Sequence, residues 1–286
     1  MQVSFPKLGF DLDINNVAFT IFGKEIYWYG VLIAMGFLLA LVYAFFNHKR
    51  FKVELDPLID VVIVGLICAV LGARIYYVIF YFNGVFPPGE NFTFLGAIVK
   101  FFAIWEGGLA IYGGVIAAFG SAWFMCKKRK LNAFAVFDLA AIGFLIGQGI
   151  GRWGNFTNQE AFGSATNSVF GMVSANTDGV AVHPCFLYES LWCLAGLLML
   201  HLISHYYYRF KGQIFLLYLF WYGLGRFWIE ALRSDSLWLI PNVIKISQLI
   251  AAVCVIAAAV ILVKQLLPII KEEKGIRLNK GGPDDA

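Results

Sequence analysis

The sequence predicts an all-α integral membrane protein with about seven transmembrane helices, the N-terminus outside the cell and the C-terminus in the cytoplasm. Of its 286 residues, 60% are hydrophobic and 14% are charged, and the mean hydropathy is +0.75. Soluble globular domains carry about 25% charged residues. The chain therefore has too much apolar surface for water, and a lipid bilayer is the solvent that fits its composition.

Seven windows meet or approach the length of about 20 apolar residues that a helix needs to cross a hydrocarbon core of about 30 Å. They run from about Ile26 to Phe46, Leu58 to Phe82, Phe101 to Met125, Phe134 to Arg152, Cys185 to Ser204, Ile214 to Leu232 and Ile244 to Leu267. The residues before the first window lack the basic start and cleavage site of a signal peptide, so we expect the first helix to act as the insertion signal. We find no internal repeat, and we expect one transmembrane domain over residues 1–267 and a polar, disordered cytoplasmic tail over residues 268–286.

The distribution of basic residues predicts the orientation. Alternate loops and the C-terminal tail hold 13 of the 22 lysines and arginines, four lie in the other loops, and five lie inside or at the end of a window. Because positively charged loops stay in the cytoplasm, the C-terminus is expected inside and the N-terminus outside.

Polar side chains collect toward one end of these windows, which this orientation places at the outer leaflet. They include Tyr29, Arg74, Tyr77, Glu106, Tyr112, Arg152, Arg226, Glu230 and Arg233. A charge at the centre of a span costs about 2.5–3.5 kcal/mol on insertion scales, so such groups face a protein interior or a wet cavity. We therefore expect an outward-facing polar site, with structural ion pairs between helices as the alternative interpretation.

The spacing of these residues predicts two polar stripes. Arg226, Glu230 and Arg233 stand at i, i+4 and i+7, and Arg74, Tyr77 and Tyr81 stand at i, i+3 and i+7. Residues at this spacing share one face of a helix. The basic members are arginines, whose planar fork suits a phosphate or carboxylate better than a lysine ammonium does.

Several short motifs then give the sequence an identity. They are IYWYG (26–30), GARIYYV (72–78), WEGGLAIYGG (105–114), GRWGNFTNQEAFG (151–163), HPCFLYE (183–189) and GRFWIEALRSD (225–235). In this order and at these spacings they resemble the bacterial prolipoprotein diacylglyceryl transferases, over nearly the whole chain. The stretch from Gly151 to Gly163 is the most specific of them.

The resemblance implies a membrane enzyme. Such an enzyme moves the diacylglyceryl group of phosphatidylglycerol to the lipobox cysteine of a prolipoprotein, forming a thioether and releasing glycerol phosphate. It would be a multi-pass protein of the bacterial cytoplasmic membrane with its active site toward the outer leaflet. The implied partners are phosphatidylglycerol, lipobox-containing signal peptides and membrane lipids; nucleic acid is not expected, and neither is a cofactor or metal. A monomer is expected.

The resemblance also implies residue roles. The catalytic residues would be Tyr29, Tyr112, Arg152, Arg226 and Glu230, and the phosphatidylglycerol-binding residues would be Arg152, Asn155, Asn158, Glu160, Gly163, Arg74 and Arg233. Among these, Arg152 and Arg226 would hold the phosphate and Glu230 would orient an arginine one turn away.

The chain departs from the family pattern at Tyr112, where many relatives carry a histidine. A tyrosine with an ordinary pKa near 10 is a poor general base at neutral pH. Tyr112 would then act by hydrogen bonding, or His183 or Glu160 would accept the proton.

Two other function classes remain open from the residues alone. A polytopic transporter also places arginines at polar depth, although it should provide a route to both sides of the membrane. A different phospholipid-modifying transferase would need a metal-binding cluster of aspartates, whereas Asp60 and Asp138 stand alone in their windows.

Overall fold

The computed structural model describes residues 2–90, 92–104, 107–236, 238–240 and 243–280, with side chains as far as residue 272. Glu106, one of the polar residues predicted to face the site, lies outside the described residues. The chain forms two compact units, Met1–Asn47 with Phe137–Ala286 and His48–Val136.

Most of the described chain is helical, as the composition predicts. The α-helices are α1 (Trp28–Asn47), α2 (Leu55–Phe80), α3 (Phe82–Val85), α4 (Phe94–Phe102), α5 (Ile111–Lys128), α6 (Ala133–Asn158), α7 (Cys185–Tyr206), α8 (Gln213–Leu232) and α9 (Ile246–Lys280). The strands are β1 (Gln2–Phe5), β2 (Phe10–Asp13), β3 (Val17–Ile21), β4 (Lys24–Tyr27), β5 (Val173–Ser174), β6 (Trp238–Ile240) and β7 (Ile244–Lys245).

Five helical segments in the described part of the chain are long and apolar enough to cross a membrane. They are Trp28–Phe51, Leu55–Phe80, Ala133–Asn158, Cys185–Tyr206 and Ile246–Glu272. Each of the five coincides with a predicted window to within a few residues at most of its ends. The protein is therefore an integral membrane protein of mostly helical structure.

The third predicted window, Phe101 to Met125, is not one continuous helix. α4 ends at Phe102 and α5 begins at Ile111, and the segment between them includes Gly107 (φ +84°) and Gly108 (φ +73°). This left-handed backbone is accessible to glycine and strained for other residues. The prediction of an unbroken span was wrong. The apolar run continues through the break, so hydropathy alone does not reveal it.

Two other boundaries also differ from the prediction. α6 continues six residues beyond Arg152 to Asn158, so the first part of the polar 151–163 motif is helical rather than loop. α9 continues through Pro268 to Lys280. The disorder expected from residue 268 is therefore wrong for the described part of the tail.

Short strands in the N-terminal 27 residues were not predicted. β1 pairs antiparallel with β2 and, across a long sequence separation, with β5; β3 and β4 form a separate hairpin. A small apolar core lies under the first sheet and consists of Val3, Phe5, Phe156, Met172, Val182 and Phe186. This core packs the N-terminal strands against the C-terminal end of α6 and the start of α7.

In the second unit, α2 and α5 pack at very short range. A Cβ placed on Gly113 would lie 2.3 Å from the carbonyl oxygen of Gly72 and 2.3 Å from Cβ of Tyr76. The glycines of the WEGGLAIYGG motif therefore serve two purposes, since Gly107 and Gly108 permit a turn and Gly113 permits the approach of α2.

This approach predicts the effect of adding one methyl group to α5. Gly113→Ala should destabilise the protein by about 1–3 kcal/mol, because the backbone of α2 must move. Gly120→Ala is the matched control on the same helix, since nothing lies within 4 Å of its added Cβ. The control should be neutral or more stable by up to about 1 kcal/mol, because alanine is the better helix former. Thermal unfolding in detergent compares the two, and equal midpoints would contradict the packing described.

Candidate active site

A buried ion-pair cluster joins α6, α7 and α8 in the first unit. Nη2 of Arg152 lies 2.6 Å from Oε2 of Glu189, and Nη1 of Arg226 donates to Oε1 of Glu189 at 2.9 Å. The other end of the Arg226 guanidinium, Nη2, lies 2.5 Å from Oε2 of Glu230. The two oxygens of Glu189 are therefore divided between arginines from two different helices.

The contact between Arg226 and Glu230 agrees with the expected orientation of an arginine by Glu230. It is an i, i+4 pair within α8. The catalytic roles predicted for these two residues stay predictions, since the contact itself is an ion pair.

A pair of tryptophans sets the register between α7 and α8. Trp192 and Trp221 stack with ring centroids 4.2 Å apart and planes inclined by 13°. Each indole Nε1 donates to the backbone carbonyl of the other residue, at 2.9 and 3.0 Å. Gly225 leaves room for the pair, because a Cβ there would lie 2.3 Å from Nε1 of Trp192. Trp192 lies one turn beyond Glu189 on α7, so the stacked tryptophans hold Glu189 beside Arg226.

Arg233 reaches the cluster from outside the helix. The prediction placed it on the same helical stripe as Arg226, but α8 ends at Leu232 and Arg233 is extended (φ −71°, ψ 138°). Its Nη1 nevertheless lies 4.0 Å from Oε1 of Glu189, while Nε and Nη2 bind both oxygens of Asp235 at 2.9 and 2.8 Å. This hydrogen-bonded fork holds the pKa of Asp235 below its ordinary value, against the effect of partial burial.

Gly163 connects the polar motif to this corner. It forms a β-bridge with Arg233, and the backbone N–H of the next residue, Ser164, donates to the carbonyl of Leu232 at 2.7 Å. A Cβ on Gly163 would lie 2.7 Å from Cβ of His183 and 3.0 Å from Sγ of Cys185. In the structure, the absence of a side chain at Gly163 lets His183 and Cys185 pack closely against it. Its predicted contact with a lipid stays a prediction.

Side chains of the 151–163 motif extend the cluster by hydrogen bonds. Nη1 of Arg152 donates to Oδ1 of Asn155 at 3.3 Å, and Nδ2 of Asn155 donates to Oε1 of Glu160 at 2.9 Å. Asn158 makes a longer contact with the same Glu160 oxygen, at 3.5 Å. The polar residues that interrupt this apolar chain thus form one connected line that begins at Arg152.

The far end of this line opens into a cleft of about 730 Å³. Three predicted site residues line it, Tyr29, Asn158 and Glu160. The remaining lining residues are Asn16, Glu25, Ile26, Tyr27 and Gly30, from the N-terminal strands and the start of α1. The ring of Tyr29 also packs on α6, where a Cβ on Gly154 would lie 2.7 Å from it.

The arginines of the cluster are partly exposed, whereas its carboxylates are buried. The side chains of Arg152 and Arg226 are 20% and 19% exposed, whereas those of Glu189 and Glu230 are 4% and 3% exposed. The solvent-accessible face of the cluster is therefore cationic, although the buried carboxylates behind it balance the charge of the arginines. Guanidinium groups presented in this way offer N–H donors to an approaching anion.

Two predicted site residues, Arg74 and Tyr112, belong to the second unit. Arg74 is 3% exposed and its guanidinium donates to the carbonyls of Phe101 and Lys100 at 2.9 Å and of Gly107 at 2.7 Å. These contacts hold the segment between α4 and α5, and the predicted contact of Arg74 with phosphatidylglycerol stays a prediction. Tyr112, in the first turn of α5, is 43% exposed, and its catalytic role stays a prediction.

Glu189 was missed as a site residue by the sequence analysis, although its motif HPCFLYE was noted. The available signal was a lone carboxylate inside an apolar helix, which needs a partner to be buried. Among the described residues, no group of three or more histidine, cysteine, aspartate or glutamate side chains could hold a metal ion.

The fold and the site together define a multi-pass membrane protein with a cationic cluster at the ends of three helices. The family profile of the prolipoprotein diacylglyceryl transferases matches residues 16–264. The chain belongs to this family.

Individual relatives carry the same name. A phosphatidylglycerol–prolipoprotein diacylglyceryl transferase of Clostridium novyi (strain NT) is 43% identical over 262 residues, which cover 88% of this chain and 96% of the relative. Proteins of that name from Finegoldia magna and Limosilactobacillus reuteri are 39% and 40% identical, over 91% and 89% of this chain and 100% and 92% of their own. Membership of a transferase family favours a transferase over the transporter that the residues alone left open.

Glu189 should contribute far more to stability than an exposed carboxylate does. Glu189→Gln removes the counter-charge of Arg152 and one of the two counter-charges of Arg226, and breaking a buried pair costs about 3–5 kcal/mol. Asp60→Asn is the control, because it breaks an ion pair of 2.7 Å with Arg129 at the surface. The side chain of Arg129 is 49% exposed and that of Asp60 is 38% exposed. The cost of this control should be about 0–1 kcal/mol. Thermal unfolding in detergent measures both, and an equally mild effect of the two substitutions would argue against a buried cluster.

Proposed function

We propose that the chain transfers the diacylglyceryl group of phosphatidylglycerol to the lipobox cysteine of prolipoproteins. The cysteine sulfur attacks the glycerol carbon that carries the phosphate, so a C–S bond forms and the C–O bond to the phosphate breaks. The bonding electrons leave with the phosphate oxygen as glycerol phosphate. The thiol proton passes to a base of the enzyme or of the solvent.

The cationic face of the cluster is the observation that carries this proposal. The donor lipid is anionic, and its phosphate gains charge as the C–O bond breaks. In this proposal, N–H groups of Arg152 and Arg226 bind the phosphate and stabilise that charge in the transition state. Their buried partners, Glu189 and Glu230, hold each guanidinium in one orientation before the lipid arrives, which lowers the cost of ordering it on binding.

The cleft beside the cluster accounts for the other predicted residues. Tyr29, Asn158 and Glu160 line it, and Asn155 connects Glu160 to Arg152. In this proposal they bind the polar headgroup of the lipid, and Arg233 adds a third cation to the phosphate site. For the proton of the thiol, Tyr112, His183 and Glu160 are the candidates.

In the same proposal, the transmembrane domain is catalytic and spans the bacterial cytoplasmic membrane about seven times. α5 and α8 supply the two spans beyond the five long apolar segments. The basic loops and tail lie in the cytoplasm, so the cluster faces the outer leaflet, where secreted precursors arrive. The enzyme acts as a monomer.

A direct assay tests the function. Purified protein, phosphatidylglycerol vesicles and a peptide with a lipobox cysteine are incubated, and the peptide is analysed by mass spectrometry. The expected product is a peptide that carries one diacylglyceryl group on its cysteine. A peptide in which that cysteine is replaced by serine should gain none, and an unmodified cysteine peptide would refute the proposal.

The orientation predicts opposite labelling of two surface positions. In a background in which the native cysteines are replaced by alanine, Val169→Cys in the segment between α6 and α7 should react with an impermeant thiol reagent added to intact cells. Lys128→Cys should react after the cells are opened, because its basic segment is expected in the cytoplasm. Both positions are exposed. The reverse pattern would place the cluster on the cytoplasmic side.

Arg152 should require the shape of its side chain as well as its charge. A charge-assisted hydrogen bond contributes about 1.5–3 kcal/mol, so Arg152→Lys should slow transfer by about one to two orders of magnitude and Arg152→Ala by more. If Arg152 served only as the structural partner of Glu189, the lysine variant would be nearly active and the alanine variant unstable. Turnover and thermal unfolding measured on the same preparations separate these cases.

Tyr112 should require its hydroxyl group. Tyr112→Phe is expected to slow transfer by about tenfold or more if the hydroxyl positions a substrate or moves a proton. Tyr112→His should be tolerated, because a neutral imidazole can both donate a hydrogen bond and accept a proton. Normal turnover of the phenylalanine variant would leave His183 and Glu160 as candidates for the base.

A further inference from the structure

Lys245 is a buried cation that the proposed reaction does not use. It ends β7, pairs with Trp238 of β6, and is 5% exposed. Its Nζ donates to the backbone carbonyls of Glu230 and Arg233, both at 2.7 Å, with Ala231 farther away at 3.4 Å. The ammonium thus binds the backbone of two residues of the ion-pair cluster.

A helix cap explains part of this arrangement. The last carbonyls of a helix have no partner within the helix, and a cation near them is favourable. Glu230 and Ala231 are in the last turn of α8, so their carbonyls fit this description. The carbonyl of Arg233 does not, because Arg233 lies beyond the helix end in extended backbone.

The lysine therefore spans the corner at which the chain leaves α8. On another side of this corner, Gly163 bridges to Arg233 and the N–H of Ser164 donates to the carbonyl of Leu232 at 2.7 Å. Held by Lys245 and by these loop residues, the corner has little freedom to turn. Its direction decides whether the side chain of Arg233 points at Glu189 or away from it.

We propose that Lys245 is a positioning residue for Arg233, fixing the backbone corner after α8 so that this arginine joins the site. The inference rests on the proposed function in one respect, the participation of Arg233 in binding the anionic lipid. Its structural content is independent, since the corner and its bonds exist without substrate.

Chemical modification of Arg233 tests the structural content. Phenylglyoxal reacts with accessible guanidinium groups, and the peptide that contains Arg233 is quantified by mass spectrometry. Lys245→Met keeps the length of the side chain and removes its donors, so Arg233 should react about threefold faster or more as the corner loosens. Lys245→Arg, which can still donate to both carbonyls, should restore the slow rate of the native protein.

Tyr208→Phe is the control for a general loss of stability. The hydroxyl of Tyr208 donates to Asp138 at 2.7 Å, near the opposite end of α8. This variant should lower the unfolding temperature while Arg233 keeps its native rate of modification. An unchanged rate in Lys245→Met, or the same increase in Tyr208→Phe, would overturn the proposal.

The transfer assay tests the connection to the site. Lys245→Met should slow turnover by about tenfold, and in an Arg233→Ala background it should have little further effect, because both substitutions remove the same interaction. Effects that multiply would show that Lys245 does not act through Arg233. If the native protein itself transferred nothing, the proposed function would fail, whereas the modification rates would still decide the role of Lys245.

Discussion

The carboxylate of Glu189 is the group on which the arrangement of the site depends. A buried carboxylate is very costly unless it is paired, and here each of its oxygens is taken by an arginine from a different helix. The three helices α6, α7 and α8 can meet this requirement in few relative positions. A buried ion pair is weak support for stability, since apolar side chains of the same volume often pack better. The retention of five charges here is better explained by the proposed function, in which the arginines bind an anion.

The long apolar helices could be predicted from the sequence because the bilayer imposes a length that composition reveals. α7, for example, begins at Cys185 as predicted and ends two residues beyond the predicted Ser204. The break before Ile111 could not be predicted in this way, since hydropathy does not report the backbone angles of Gly107 and Gly108. The N-terminal strands were missed for another reason. β1 has four residues, and one of its partners, β5, is about 170 residues away, so no local pattern announces the pairing.

The site shows the same division between local and long-range information. The Arg226–Glu230 pair follows from a spacing of four on one helix and could be predicted. Glu189 has its arginine partners on other helices, and a spacing rule within α7 cannot identify them. Arg233 was predicted on the helical face of Arg226, whereas it lies beyond the end of α8 in extended backbone and approaches Glu189 from there. Arg74 is a further case, since its bonds to the carbonyls of Lys100, Phe101 and Gly107 cannot be found from its spacing on α2.

The reciprocal bonds between Trp192 and Trp221 have a consequence for the path of lipids. Each of the two hydrogen bonds contributes about 0.5–1.5 kcal/mol, and the stacking of the two rings contributes about the same as one of these bonds. Because both bonds cross between α7 and α8, separating these helices would break them together and expose two indole N–H groups to hydrocarbon, where no acceptor replaces the lost carbonyls. α7 and α8 therefore stay packed together as one rigid pair of helices. In the proposed reaction, a lipid that reaches the arginines from the bilayer, or a lipidated product that leaves them, passes between other helices of the protein.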